Sequence, residues 1–141
     1  MNLAAFQKLK LHGSVFPQSI NGTDTTGTGV NTSGYTSAMC VFISGAIGAA
    51  DFDKLQILHA DADTGYAALS GATFAGSLPG DSADNKIYVI YLDLRKCKKW
   101  ITWNIDPGAA ASLVCGIIIL GGADESPDSV TERGIVAQVI Q

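Results

Sequence analysis

The chain of 141 residues is 47% hydrophobic and only 16% charged, with a formal net charge of −4 at neutral pH. This length suits a single domain with one core, and the apolar content excludes a disordered tail. The acidic balance argues against a general nucleic-acid-binding protein, because neutralising phosphate groups requires a clustered basic excess.

The amino-terminal quarter is the least regular part of the predicted fold. Residues 3–16 are compatible with a strand, or with one short helix that ends by Lys10, because the first residues favour a helix. Residues 17–37 are rich in Gly, Thr, Ser and Asn, which indicates a long loop. We expect this loop to contain one short strand around residues 29–31, or else to bind a neighbouring subunit.

The middle of the chain contains four candidate strands. Residues 38–47 are apolar on both faces, which is typical of a central strand covered on two sides. Residues 55–60 alternate and end in a turn, residues 70–75 form a short candidate, and residues 86–94 carry the clearest strand pattern.

Three further candidate strands follow a charged corner. Residues 100–105 alternate and end at a Pro-Gly turn, and residues 112–120 form an apolar strand. Residues 134–140 alternate again after the polar connection at 123–133. This last strand pairs either within the domain or with a sheet edge on another subunit.

Together these patterns predict an all-β fold, because no stretch sustains a helical repeat over three turns. The fold class is an antiparallel β-sandwich or jelly roll of about seven to eight short strands, with a small barrel as the alternative. We expect one domain over residues 1–141, and the sequence also allows extended terminal arms at residues 1–16 and 123–141.

The sequence contains no pattern typical of a catalytic or metal site. His12 and His59 lack a second ligand at the spacing that zinc requires, and no nucleophile turn of the GxSxG type occurs. Asp61, Asp63 and Gly65 imitate the start of a calcium loop but lack its remaining ligands. We therefore expect no enzymatic activity, no cofactor and no bound metal.

The three cysteines, Cys40, Cys97 and Cys115, form no CxxC pair and lie in or beside apolar runs, which predicts buried free thiols. The amino-terminal sequence lacks the basic and long apolar regions of a secretory signal, so we expect folding in the cytoplasm. No apolar run approaches the roughly 20 residues that span a bilayer, so we expect no membrane partner.

One basic cluster is the candidate contact site. Four of the nine Lys and Arg residues precede Trp100 directly, at Arg95, Lys96, Lys98 and Lys99. They form either a solvated strand corner or an electrostatic contact with an acidic protein surface, in which Trp100 is a buried anchor. Nucleic acid is a weaker third alternative.

Three phrases occur in order along the chain: NGTDTTGTGVNTSGY at residues 21–35, LSGATF at residues 69–74 and DLRKCKKWI at residues 93–101. An apolar strand that ends in LGGA at residues 120–123 follows them. Over residues 16–123 this order resembles a family of tailed-bacteriophage virion structural proteins, described as minor capsid, cement or head decoration proteins.

The resemblance implies a β-sandwich or jelly-roll protein on the outer capsid surface of the virion, where it binds the major capsid protein and staples neighbouring shell subunits. It implies no catalysis. We expect self-association as a homotrimer, or alternatively a dimer, because cement proteins use many weak contacts repeated by symmetry. The terminal strands or residues 21–35 would then grip the shell.

Two alternative functions stay open from the sequence. A head-to-tail joining or tail protein fits the same strand pattern. A carbohydrate-binding β-sandwich would use Trp100 and Trp103 to stack on sugar rings, but strand alternation predicts that these two side chains face opposite sides.

Overall fold

The computed structural model describes residues 3–123 and 132–136, and these ranges are nearly all β, as the sequence predicts. One short helix, α1, opens the described part at Leu3–Gln7, and one 3₁₀ turn lies at Leu94–Lys96. The strands are β1 (Lys10–Asn21), β2 (Thr25–Thr26), β3 (Val30–Asn31), β4 (Ser37–Ser44), β5 (Lys54–Ala60), β6 (Ala67–Thr73), β7 (Ile87–Asp93), β8 (Trp100–Asp106) and β9 (Ala111–Gly121).

The strands form two antiparallel sheets. One has the order β1-β9-β4-β7; the other has the order β2-β8-β5-β6, with β3 also paired to β8. The pairing is nested, because β1 joins β9, β2 and β3 join β8, β4 joins β7, and β5 joins β6. A long antiparallel hairpin wound in this way over two sheets is a jelly roll. The predicted antiparallel sandwich is therefore confirmed.

The amino-terminal segment contains both of the elements that its sequence allowed. After α1 the chain enters β1, which continues through Pro17 to Asn21, beyond the predicted end of this strand. Proline is tolerated there because β1 is an edge strand and its register with β9 shifts between Val15 and Gln18. The expected short strand at residues 29–31 is confirmed as β3.

The core lies between the sheets and is built around Phe42 of β4 and Trp103 of β8. Both side chains are fully buried, and their ring centroids are 6.2 Å apart. Trp103 Nε1 donates to the Ile117 carbonyl oxygen at 3.2 Å, so a hydrogen bond links the sheets. Gly116 makes this approach possible, because a Cβ there would lie 2.7 Å from the indole.

The predicted central position of residues 38–47 is confirmed, since β4 lies between β9 and β7. The expected last strand at 134–140 and the expected polar connection at 123–133 both fall partly outside the described residues. Residues 132–136 form turns beside β1, where the Arg133 carbonyl oxygen accepts from Leu11 N at 2.6 Å. Within the described ranges, no helix has the length and apolar character needed to cross a bilayer.

Candidate interaction surfaces

The predicted contact site forms the connection between β7 and β8, where the chain passes from one sheet to the other. We call it the basic corner and define it by Arg95, Lys96, Lys98, Lys99 and Trp100. The first two lie in the 3₁₀ turn, and Trp100 begins β8. All four basic residues are exposed.

Asp93 organises the first half of the basic corner. Its carboxylate accepts from the backbone N–H of Arg95 at 3.1 Å, which caps the 3₁₀ turn. It also accepts from Arg95 Nε at 2.8 Å and Nη2 at 2.9 Å, in a two-pronged ion pair. These bonds lower the pKa of Asp93 to about 2 and raise the pKa of Arg95.

The second half of the corner is tied to the turn after β5. Lys98 Nζ lies 3.0 Å from Asp61 Oδ2, and Lys98 N donates to His59 Nδ1 at 3.3 Å. Two of the four cations are thus paired within the chain. Lys96 and Lys99 have no ion pair among the described residues. They are the charges that the corner presents to a partner.

Trp100, the proposed anchor of this contact, lies at the start of β8. Its side chain is half-buried, opposite Ala60 and Asn31. The backbone beside it is fixed, because the Lys99 carbonyl oxygen accepts from Thr32 N at 2.7 Å and Thr32 Oγ1 at 3.0 Å. Part of the Trp100 side chain therefore remains accessible beside the basic residues.

The fold brings the three sequence phrases together. Val30 and Asn31 of the first phrase pair with Ile101 and Trp100 of the third. The second phrase lies on β6, and its residues 69–72 line an open depression together with residues from Asp93 to Cys97. A second depression lies between the start of β4 and the end of β7, and Asp93 and Arg95 are among its lining residues. The basic corner therefore lies between two concave surfaces.

The other polar residues singled out in the sequence have local partners. His12 Nε2 lies 2.9 Å from the Thr28 carbonyl oxygen, and Tyr66 donates to Asp63 at 2.5 Å. Burial and the Asp63 carboxylate raise the pKa of Tyr66. In the part of the chain that the structure describes, no three His, Cys, Asp or Glu side chains group as metal ligands do.

The prediction of buried thiols is confirmed for Cys40 alone. Cys40 is fully buried on β4, and burial raises its pKa to about 12. Cys97 and Cys115 are only half-buried, although partial burial also raises their pKa values. All three are free thiols.

The sequence reasoning missed a second surface, on the side of the four-stranded sheet that is turned away from the core. We call it the outer face. Its side chains are apolar and exposed or half-exposed: Leu11, Phe16, Met39, Val41, Ile43, Ile87, Val89, Tyr91, Leu113, Cys115, Ile117 and Ile119. The signal was present in residues 38–47 and 112–120, which are apolar on both strand faces.

The outward side of the other sheet has a different character. Asn104 of β8 accepts from Gln56 Nε2 at 2.9 Å and donates to Asp24, which also pairs with Lys54. Thr102, two residues before Asn104, is also polar, and its hydroxyl lies 3.1 Å from that of Ser14 on β1. An antiparallel sheet with one polar side is the usual arrangement. The apolar outer face is the exception in this molecule.

Comparison with known proteins gives little beyond this geometry. No protein-family model matches the chain, and no curated protein matches it. One similar solved structure is that of the infectious bursal disease virus Gx strain, at 12% sequence identity and a TM-score of 0.43. The match covers 84% of this chain and 33% of that one, so this chain spans about a third of its length.

Proposed function

We propose that this chain is a non-enzymatic structural protein of a virion, which binds the outer capsid lattice and stabilises the head as a cement or decoration protein. The observation that carries the proposal is the pair of contact surfaces on one small sandwich. The outer face is broad and apolar, and the basic corner lies at the end of the same sheet. Such surfaces serve assembly between proteins.

The fold and the sequence support the virion placement in different ways. Jelly rolls build viral capsid and lectin domains, among others, so the fold alone does not select a function. The support for the phage virion placement is the resemblance of the ordered phrases at 21–35, 69–74 and 93–101, which the fold brings together around the basic corner. Trp103 is fully buried, which removes it from any sugar-stacking platform.

The proposed contact with the major capsid protein uses Lys96 and Lys99. Both side chains are exposed, and Lys99 directly precedes the half-buried Trp100. Acidic side chains on the shell would pair with them. Because the contacts are exposed, we expect capsid binding to weaken as salt concentration rises.

The test is a binding assay with purified heads that lack this protein. The K96E/K99E variant should bind with at least roughly tenfold lower affinity, because attraction at the corner becomes repulsion. The matched control is K8E/K86E, which makes the same change in net charge at exposed lysines outside the corner. If K96E/K99E saturates heads with unchanged affinity, the basic corner is not the capsid contact.

A further inference from the structure

The outer face is continuous across all four strands. Leu11, Ile119, Met39 and Tyr91 form one row across the sheet. In the next row, Ile117, Val41 and Val89 lie side by side with Gly13. The Phe16 ring lies over that glycine, because a Cβ there would be 2.8 Å from the ring. A third row consists of Cys115, Ile43 and Ile87.

Several of these side chains are exposed to an extent that is unusual for large apolar groups. Tyr91 is 78% exposed, Ile87 67% and Leu113 49%. The sequence of β4 and β9 has the doubly apolar pattern of strands that are covered on both sides. Leu9 lies against the outer side at Gly121 and Phe16 at Gly13, whereas the apolar side chains of the three rows remain exposed or half-exposed among the described residues. The pattern therefore calls for a second layer on the outer face.

The outer face also carries no charge in its three rows, since every position there is apolar or glycine. Among the described residues of the sheet, charge enters the outward side only at one end, where Asp93 lies opposite Ser37. A copy of the same surface therefore meets it without burying an unpaired charge. A strongly charged partner surface would lose hydration there without compensation.

We propose that the outer face is the interface with a second copy of this chain, packed sheet against sheet about a two-fold axis. Four strands, and a length of seven residues from Leu113 to Ile119 of which four point outward, give the face dimensions of roughly 20 Å by 25 Å. Two copies together would bury roughly 1,000 Å² from this face alone, the lower limit for a specific interface.

The geometry favours a dimer, which was the alternative in the sequence analysis, over the homotrimer that was expected there. A two-fold contact uses the same patch on both copies, whereas a three-fold ring joins two different patches. Residues 3–123 and 132–136 present one broad apolar patch of this kind. The surface that best matches an uncharged apolar patch is the same patch on a second copy. Two twisted sheets stack face to face at a spacing of about 10 Å, with their apolar side chains interdigitated.

The experiment is sedimentation equilibrium of the purified protein across the micromolar range, for wild type, I87K and Y91K. Both positions are exposed on the edge strand β7, so lysine there is compatible with folding of the monomer. Wild type should form a dimer. Each variant should raise the dissociation constant by roughly tenfold or more, because a charge is then buried at the interface.

The matched control is T26K, which adds lysine at an exposed position on β2 in the other sheet. It should dimerise like wild type, and so should wild type at high salt, because an uncharged interface is not screened. A monomeric or trimeric wild type, or I87K and Y91K that dimerise unchanged, would overturn the proposal. Because no capsid is present in the assay, this result is independent of the proposed function.

Discussion

Asp93 shows how one side chain shapes the candidate contact site. Its carboxylate caps the 3₁₀ turn and holds the Arg95 guanidinium in the same geometry. The Arg95 guanidinium is therefore already paired with a carboxylate of the same chain, although its side chain is 81% exposed. The consequence is that the charge available to a partner moves from Arg95 to the neighbouring Lys96 and Lys99.

Replacing Arg95 by Gln should raise the pKa of Asp93 from about 2 towards its ordinary value of 3.8, since the Arg95 hydrogen bonds are the main cause of the shift. The folded pKa lies below the ordinary one, so the pair stabilises the fold above about pH 3.8, and this contribution is lost as pH falls through 2. A carboxyl-carbon NMR titration measures the pKa directly.

The control for this titration is K96Q. Lys96 acts on Asp93 only through a weaker Coulombic effect, so its loss should raise the pKa far less than the loss of Arg95. If both variants raise the pKa equally, the cause is general positive charge and the specific Asp93–Arg95 pair is not responsible.

At the scale of elements, the two-residue strand β2 depends on side chains for its attachment. Its pairing with β8 covers only Thr25 and Thr26. The preceding residue, Asp24, receives hydrogen bonds from Lys54 of β5 and from the buried Asn104 of β8. The Lys54 bond, the largest cause, lowers the pKa of Asp24 against the opposing effect of burial. Three segments of the five-stranded sheet therefore meet at this carboxylate.

Replacing Asp24 by Ala should lower the free energy of unfolding by about 1–2 kcal/mol, because the buried Asn104 amide loses an acceptor. Replacing Lys54 by Ala should have a smaller effect, because its ion pair with Asp24 is exposed. Urea unfolding of both variants provides the comparison. A larger loss in K54A than in D24A would show that the ion pair, and not the Asn104 bond, holds β2.

The strands that alternation marks were predictable, and their order was not. β4, β5, β7, β8 and β9 lie within a few residues of their predicted ranges, because each is long enough to show either alternation or a continuous apolar run. β2 has only two residues and shows no period. The pairing of β1 with β9 joins opposite ends of the described chain, and no local pattern records such a contact.

The candidate site was predictable to the same degree. A run of four basic residues is visible in any sequence, so the basic corner was found. The partial neutralisation of this cluster was not predictable. Asp61 and Lys98 are far apart in sequence, and the pairing of β5 with β8 is what brings them together. The outer face was hidden for a different reason. A strand that is apolar on both faces indicates that both faces are buried. It does not show whether this chain or another molecule buries each face.

For the whole molecule, the two surfaces suggest a division of labour. The outer face is uncharged and broad, which suits a lasting contact between copies, whereas the basic corner is small and exposed, so a contact there should weaken with salt. A dimer would carry two basic corners. Simultaneous engagement of both on a repeated lattice would strengthen weak individual contacts.

The most direct test of the proposed function is a cryo-EM map of the virus that carries this protein, with its copies counted and located. The proposal predicts many copies as regular density over the outer shell, with Lys96 and Lys99 facing the major capsid protein. Density confined to the tail or the portal vertex would contradict it and would assign the chain to the joining or tail proteins.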